Sequence, residues 1–239
     1  MRDNLIQKEN TKWSFDSDVT NCFDDMLSRS IPQYDVMRKC VVDLSRIYLK
    51  DKEKFDCLDV GCSNGLMIKN MIDNIDAKGI KGNYTGIDVS EPMLEKAREL
   101  FKSNHNVYIR NCDLRTDYPN GSYDIITCIL SLMFTPIEYR QNIVQNMYDS
   151  LNHGGCLFLV EKVLGNSSQI SDMFIENYYD MKRENGYSQE QIDRKRLSLE
   201  GVQVCVTSDW NIELLKQAGF RKVDVFWRWC NFMGVIAIK

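Results

Sequence analysis

The sequence predicts an α/β fold: a seven-stranded, mainly parallel sheet that closes with an antiparallel hairpin. Three observations predict it. From Lys54 onward, short apolar runs alternate with segments of helical spacing, the pattern of βαβ units. The last two runs, 222–229 and 232–238, are separated by Cys230 and Asn231 alone, which makes them a hairpin. The stretch from Cys57 through Asp59, Gly61 and Ser63 to Gly65 joins a buried strand to a helix through a glycine-bearing turn.

The elements follow in order. Residues 1–12 are polar and are expected to be loosely held. Asp16 or Ser17 can cap a helix running toward Arg29, with Val19, Cys22, Phe23, Met26 and Leu27 on one face. Ile31-Pro32 interrupts it. A second helix spans 34–49, with Met37, Cys40, Val41, Leu44 and Tyr48 at helical spacing. Residues 13–50 are thus expected to form a helical lid ahead of the core. Strands are expected at 55–60, 83–87, 107–111, 124–130, 156–162, 222–229 and 232–238, and helices at 64–75, 91–103, 137–151 and 209–218. Residues 167–206 are helical by pattern and form an insertion after the fifth strand, with Ser188 to Gln191 opening its second helix. Its place is the carboxyl end of the sheet, where α/β folds put their ligands. The whole chain, 1–239, reads as a single domain with these two additions.

Composition narrows the function. The 239 residues are 44% hydrophobic and 27% charged, enough for one α/β domain with additions. Thirty basic against thirty-four acidic residues give a net charge of −4, which is not a nucleic-acid footprint. Lys182-Arg183 with Arg194-Lys195-Arg196 is the best candidate for a local basic patch, and a solvated helix face is its plainer reading. Nine cysteines without a Cys-x-x-Cys pair, and only His105 and His153 beside them, assemble no zinc site, so no metal is expected. Cys57, Cys128 and Cys156 sit in apolar strands, as reduced thiols of a cytoplasmic protein do. The start of the chain has no apolar h-region and no run approaches ~18 apolar residues, so neither a signal peptide nor a membrane span is expected.

The glycine turn reads Asp-x-Gly-x-x-x-Gly, from Asp59 to Gly65, and not the Gly-x-Gly-x-x-Gly that a pyrophosphate requires. It resembles the first motif of S-adenosylmethionine-dependent methyltransferases. Asp88 ends the second strand, where a carboxylate accepts both ribose hydroxyls in nucleoside-binding Rossmann-like folds. The plainer reading is a helix cap, but Ser90 can provide that itself. Asp113 ends the third strand, at the position that meets the adenine amino group in methyltransferases; the plainer reading is a turn aspartate. Three aspartates closing three successive strands suit an adenosine that carries a sulfonium and no phosphates. The exit of the fourth strand, 127–134, offers no side-chain base and reads as an apolar wall. Arg183, Arg194 and Arg196 of the insertion are the candidates to meet an anionic substrate.

Beyond fold level, the chain resembles the carboxy-S-adenosyl-L-methionine synthase family within the class I S-adenosylmethionine-dependent methyltransferase superfamily. The residues that carry the resemblance run over nearly the whole chain. They are Trp13 to Asp16, Phe23-x-x-Met26-x-x-Arg29-Ser30-Ile31-Pro32-x-Tyr34, Gly61-Cys62-Ser63, Leu151 to Gly155, Glu161-Lys162, and Lys182-Arg183-x-Asn-Gly-Tyr187-Ser188. Lys195-Arg196-x-x-Leu199-Glu200-x-Val202, Ala218-Gly219-Phe220 and Asn231-Phe232 complete the set. The resemblance implies conversion of S-adenosyl-L-methionine and prephenate to carboxy-S-adenosyl-L-methionine and phenylpyruvate, through a sulfonium ylide. It implies that the product serves carboxymethylation of the tRNA wobble uridine by a separate enzyme, that no metal takes part, and that the protein is a homodimer, with the insertion as a candidate interface. It places Tyr34, Gly61, Cys62, Ser63, Asp88, Val89, Asp113 and Leu114 at the cofactor and gives Arg196 the new carboxylate. Ile129 stands where the family carries an asparagine at the cofactor. Ser63-Asn64-Gly65 and Val163-Leu164-Gly165 also depart from the family's residues. Those departures keep a second reading open, a methyltransferase acting on a small acidic metabolite. A third is a non-catalytic adenosylmethionine-binding protein.

Overall fold

The computed structural model describes residues 12–239; residues 1–11, on which most of the expectation of a loose start falls, lie outside the described residues. Two helices lead the chain, α1 (Ser17–Ser30) and α2 (Tyr34–Tyr48). Asp16 caps α1 by accepting the Val19 N–H at 3.0 Å. Ile31, which precedes Pro32, is extended as the proline ring requires and ends the helix.

The core then alternates: β1 (Lys54–Val60), α3 (Leu66–Asn74), β2 (Lys81–Asp88), α4 (Glu91–Leu100), β3 (Val107–Asn111), β4 (Tyr123–Ile129), α5 (Ile137–Ser150) and β5 (Leu151–Leu164). The insertion follows as α6 (Ser168–Glu184) and α7 (Gln189–Leu199). β6 (Val206–Thr207), α8 (Ser208–Gln217), β7 (Lys222–Trp229) and β8 (Phe232–Ile238) complete the chain. The sheet order is β3-β2-β1-β4-β5-β8-β7. β1, β2, β3, β4 and β5 run parallel, while β8 is antiparallel to both β5 and β7. This is the α/β architecture with a terminal hairpin that the sequence predicts. The chain moves outward from β1 through β2 to β3, then returns to the other side of β1 with β4. That reversal opens a crevice above the carboxyl ends of β1 and β4.

Three details differ from the expected elements. The two-residue β6 pairs with the end of β5 through Val163 and Val206, an eighth strand too short to show any period. β5 starts at Leu151, not 156, because Leu151 already pairs with Tyr123 of β4 and the register shifts before Cys156 pairs with Ile125, without ending the strand. α3 starts at Leu66 because Gly65 lies in the left-handed region, at φ +85°.

Strand alternation divides the apolar side chains between two layers. Leu58, Ile126, Leu157 and Val235 pack with Ile143 and Met147 of α5 and Leu214 of α8. Cys57, Ile125, Phe158 and Val160 pack with Met37 and Val41 of α2 and Ile68 and Met71 of α3. Full burial of such side chains contributes about 1.5–3 kcal/mol each. A third cluster, Trp13, Val19, Phe23, Met26 and Met93, fastens α1 to α4 beside the crevice. In α7, Ser188 and Gln191 form a reciprocal capping box, which starts the helix where the sequence expects it. Among the described residues no helix is long and apolar enough to cross a membrane.

Candidate active site

The turn after β1 is built by three backbone devices. The N–H groups of Gly61 and Cys62 both donate to the Ile87 carbonyl, at 2.8 and 2.9 Å, which pins the turn to β2. Gly61 sits at φ +70°, and a Cβ there would lie 2.1 Å from Ser131 Oγ. Only glycine lets the loop after β1 pass this close to the loop after β4. Ser63 and Leu130 also adopt positive φ, at 52° and 54°. Such residues cost roughly 1–2 kcal/mol each and persist where surrounding structure holds them. Ser63 is held by its N–H, which donates to Asp88 Oδ2 at 2.9 Å; its buried Oγ has no partner among the described residues.

The three aspartates have distinct surroundings. Asp59 is 2% exposed, and its Oδ1 accepts the Thr127 hydroxyl at 2.7 Å. Its Oδ2 has no partner among the described residues. Burial raises this carboxyl from 3.8 to about 7; the Thr127 hydrogen bond and the Arg38 charge oppose the rise, and the Asp88 charge adds to it. Asp88 accepts the N–H of Ser63 on one oxygen and the N–H of Ser90 on the other. Burial pushes it up, and these bonds pull it back. Ser90 Oγ caps α4 at Met93, so Asp88 does not. Asp113 is bound by Arg115 through Nε at 2.9 Å and Nη2 at 2.5 Å, which holds its carboxyl below the usual range.

A cavity of about 570 Å³ opens on these groups. Tyr34, Gly61, Cys62, Ser63, Asp88, Val89, Asp113, Leu114, Ile129 and Arg196 all line it, so residues from six separate parts of the chain meet there. Arg196 comes from α7 and pairs with Glu200 at 2.9 Å. The other arginines of the insertion point elsewhere: Arg183 pairs with Glu176 and Asp180, Arg194 with Glu190, and neither lines the cavity.

Comparison with known proteins shows the family. A family model described as a methyltransferase domain matches residues 57–155. The carboxy-S-adenosyl-L-methionine synthase of Methylococcus capsulatus is 35% identical, over 95% of this chain and 93% of its own length. That of Wolinella succinogenes is 37% identical, over 100% of this chain and 99% of its own. The chain belongs to the carboxy-S-adenosyl-L-methionine synthase family. Among solved structures, human N-acetylserotonin methyltransferase in complex with SAM matches with a TM-score of 0.62 at 14% identity. That match covers 93% of this chain and 55% of the other, and it attests the fold.

In this synthase-family chain the cavity wall and the layer behind it also hold residues to which the sequence assigned no role. Arg38 donates from Nη2 to the Leu66 carbonyl at 3.1 Å and lies over the Tyr34 ring, 4.9 Å from its centroid. Its Nε is buried without a partner among the described residues. Burial pushes the Tyr34 hydroxyl up to about 12, with Arg38 pulling the other way. The spacing of Tyr34 and Arg38, one helical turn, was the available signal. Glu161 is 1% exposed and sits beneath the turn at Leu132–Phe134. Burial raises its carboxyl from 4.5 to about 8, against the pull of Arg140 and the N–H groups of Leu132, Met133 and Ser131. It thereby anchors the turn whose Met133 and Phe134 wall the cavity. Its neighbour Lys162 lines the cavity itself, beside Tyr178 of α6.

Proposed function

We propose that this chain converts S-adenosyl-L-methionine to carboxy-S-adenosyl-L-methionine, with prephenate as the carboxyl donor. The observation that carries the reading is Arg196 on the wall of the cavity that the three aspartates close. A carboxylate on the transferred carbon calls for a cation beside it, and a bare methyl does not. The identity with carboxy-S-adenosyl-L-methionine synthases along the full chain supports the same reaction.

The residues present fit adenosylmethionine. Three buried polar atoms, Asp59 Oδ2, Ser63 Oγ and Arg38 Nε, have no partner among the described residues and belong to residues that line the cavity. The Gly61 turn leaves backbone room where a Cβ would collide. Asp88 has lone pairs left for ribose hydroxyls after accepting two N–H groups. Asp113, held by Arg115, is the group for the adenine edge, with Leu114 and Val89 against the ring and Tyr34, Cys62 and Ile129 around the amino-acid and sulfonium end. When bound, the sulfonium would acidify the methyl group that accepts carbon dioxide; the methyl proton and the ring hydroxyl that prephenate sheds as its ring becomes aromatic would leave together as water. The protein's part is to hold the donor against it and to exclude water. The apolar exit of β4, with Ile129, Met133 and Phe134, supplies that dry wall. Arg196 receives the new carboxylate, and Glu200 holds its guanidinium in place beforehand. The product is then a cofactor for tRNA wobble-uridine carboxymethylation by another enzyme.

The test is mass spectrometry after incubation with S-adenosylmethionine and prephenate. The expected product is the adenosyl compound made heavier by carbon dioxide. Arg196→Leu is expected to lower the affinity for the carboxylated form relative to the plain form by roughly 10- to 150-fold, the worth of a charge-assisted hydrogen bond. Equal affinity of the wild-type protein for both forms overturns the reading. Ile129, in place of the family's asparagine, favours one alternative, methyl transfer to a small acid. That alternative predicts a methylated acceptor and adenosylhomocysteine in the same spectrum.

A further inference from the structure

We propose that Lys162 binds a carboxylate of the second substrate, a small acid with an unsaturated ring. The inference rests on the reaction proposed above and adds where the donor lies and which group holds it.

Lys162 is on β5, two residues beyond Val160, which pairs with Ile129 at the end of β4. Strand alternation puts Phe158, Val160 and Lys162 on one face and sends Glu161 to the other, under the Leu132–Phe134 turn. Glu161 is therefore not the counter-ion of Lys162. The ammonium lies 4.5 Å from the ring centroid of Tyr178 and 6.0 Å from that of Phe232. Among the described residues it has no ion pair, whereas two arginines elsewhere on the cavity wall, Arg115 and Arg196, pair with Asp113 and Glu200. Burial pulls the Lys162 ammonium below its usual range. Ring faces compensate an enclosed cation only in part, and a carboxylate compensates it fully.

Position agrees with charge. The aspartates that suit the adenosyl group lie at β1, β2 and β3, on one side of the crevice. Lys162 lies at β5, on the far side, with Ile129 of β4 between them. A donor there would face the transferred carbon across the β4 exit. Tyr178 and Phe232 would cover its ring carbons while Lys162 takes the side-chain carboxylate that the donor keeps when its ring carboxyl leaves. Arg196 remains for the carboxylate that the reaction creates, so two anionic groups meet two different cations.

The experiment uses the full chain. Calorimetry measures binding of phenylpyruvate and of prephenate to protein loaded with S-adenosylhomocysteine, and steady-state kinetics gives KM and kcat for prephenate. Lys162→Met is expected to weaken phenylpyruvate binding and to raise the prephenate KM at least about tenfold, with S-adenosylhomocysteine affinity within about twofold. Lys162→Arg is expected to recover most of the loss, which a packing role alone would not allow. Should the Met variant fail to bind S-adenosylhomocysteine, the comparison of Lys162→Gln with Lys162→Arg takes its place. An unchanged KM in the neutral variant, or an Arg variant as weak as the neutral one, overturns the proposal. Carboxylated product with a KM independent of Lys162 removes this site and leaves the reaction. Lys162-dependent carboxylate binding without carboxylated product removes the reaction and leaves the site.

Discussion

Replacing Asp59 with asparagine tests how the wall of the cavity holds its buried charge. Asp59 is enclosed between β1 and β4, with one oxygen on Thr127 and the other unpartnered among the described residues. Its carboxyl is raised from 3.8 to about 7, with burial as the main cause. A raised acid stabilises the fold while protonated, fully below the unfolded value, and that stability is lost as pH rises through about 7. Between pH 5 and about 7 the unfolded carboxyl is already ionised and the folded one is not, so each pH unit removes about 1.4 kcal/mol. Two units amount to about 2.7 kcal/mol, and above pH 7 the loss levels off. Asp59→Asn removes this titration. Any constant cost of the amide cancels when variant and wild type are compared at pH 5 and again at pH 8. The melting temperature of the variant relative to wild type is expected to rise by about 5–11 °C between the two pH values, at about 2–4 °C per kcal/mol for a chain of this size. Differential scanning calorimetry without ligand reads it directly. A difference between variant and wild type that is the same at pH 5 and pH 8 would refute a neutral buried Asp59.

The remaining predictions concern the turn and the insertion. Gly61→Ala places a methyl 2.1 Å from Ser131 Oγ at φ +70°, so it is expected to cost at least about 1–2 kcal/mol of stability and to weaken S-adenosylmethionine binding about tenfold or more. Adding Ser131→Ala should restore part of the binding by isothermal titration, because the clash is with that side chain. Ser188→Ala breaks the capping box of α7 and is expected to cost about 1 kcal/mol. Hydrogen exchange across 189–199 should speed up while exchange in β1 and β4 does not; unchanged exchange in α7 contradicts the assigned cap.

Much of the site was legible because it lies where periodic elements end. Asp59, Asp88 and Asp113 mark the ends of three strands whose order follows from βαβ connection rules, so their convergence could be read from spacing alone. Arg196 stood out among three arginines only through the family resemblance. Charge pattern could not separate it from Arg183 and Arg194, since all three occupy helices with acidic residues one turn away. Packing separates them: α7 presents Arg196 to the cavity, while Arg183 and Arg194 pair on the outside. Tyr34 was read from the family and Arg38 was not read at all, although they stack on one another, because an arginine in an amphipathic helix reads as surface.

By itself, the sequence determined the layered α/β architecture, the terminal hairpin and a glycine turn whose spacing departs from the dinucleotide fingerprint. Those features rest on local periodicity and backbone conformation, which residue order expresses directly. The tertiary structure alone decided the state of the buried charges. Asp59 is pushed toward neutrality by its burial, Glu161 is held beneath the Leu132–Phe134 turn, and Lys162 is left against two aromatic rings with no acidic partner among the described residues. Electrostatic energy depends on distance and burial in three dimensions. Residues adjacent in sequence, such as Glu161 and Lys162, therefore end in opposite layers with different roles.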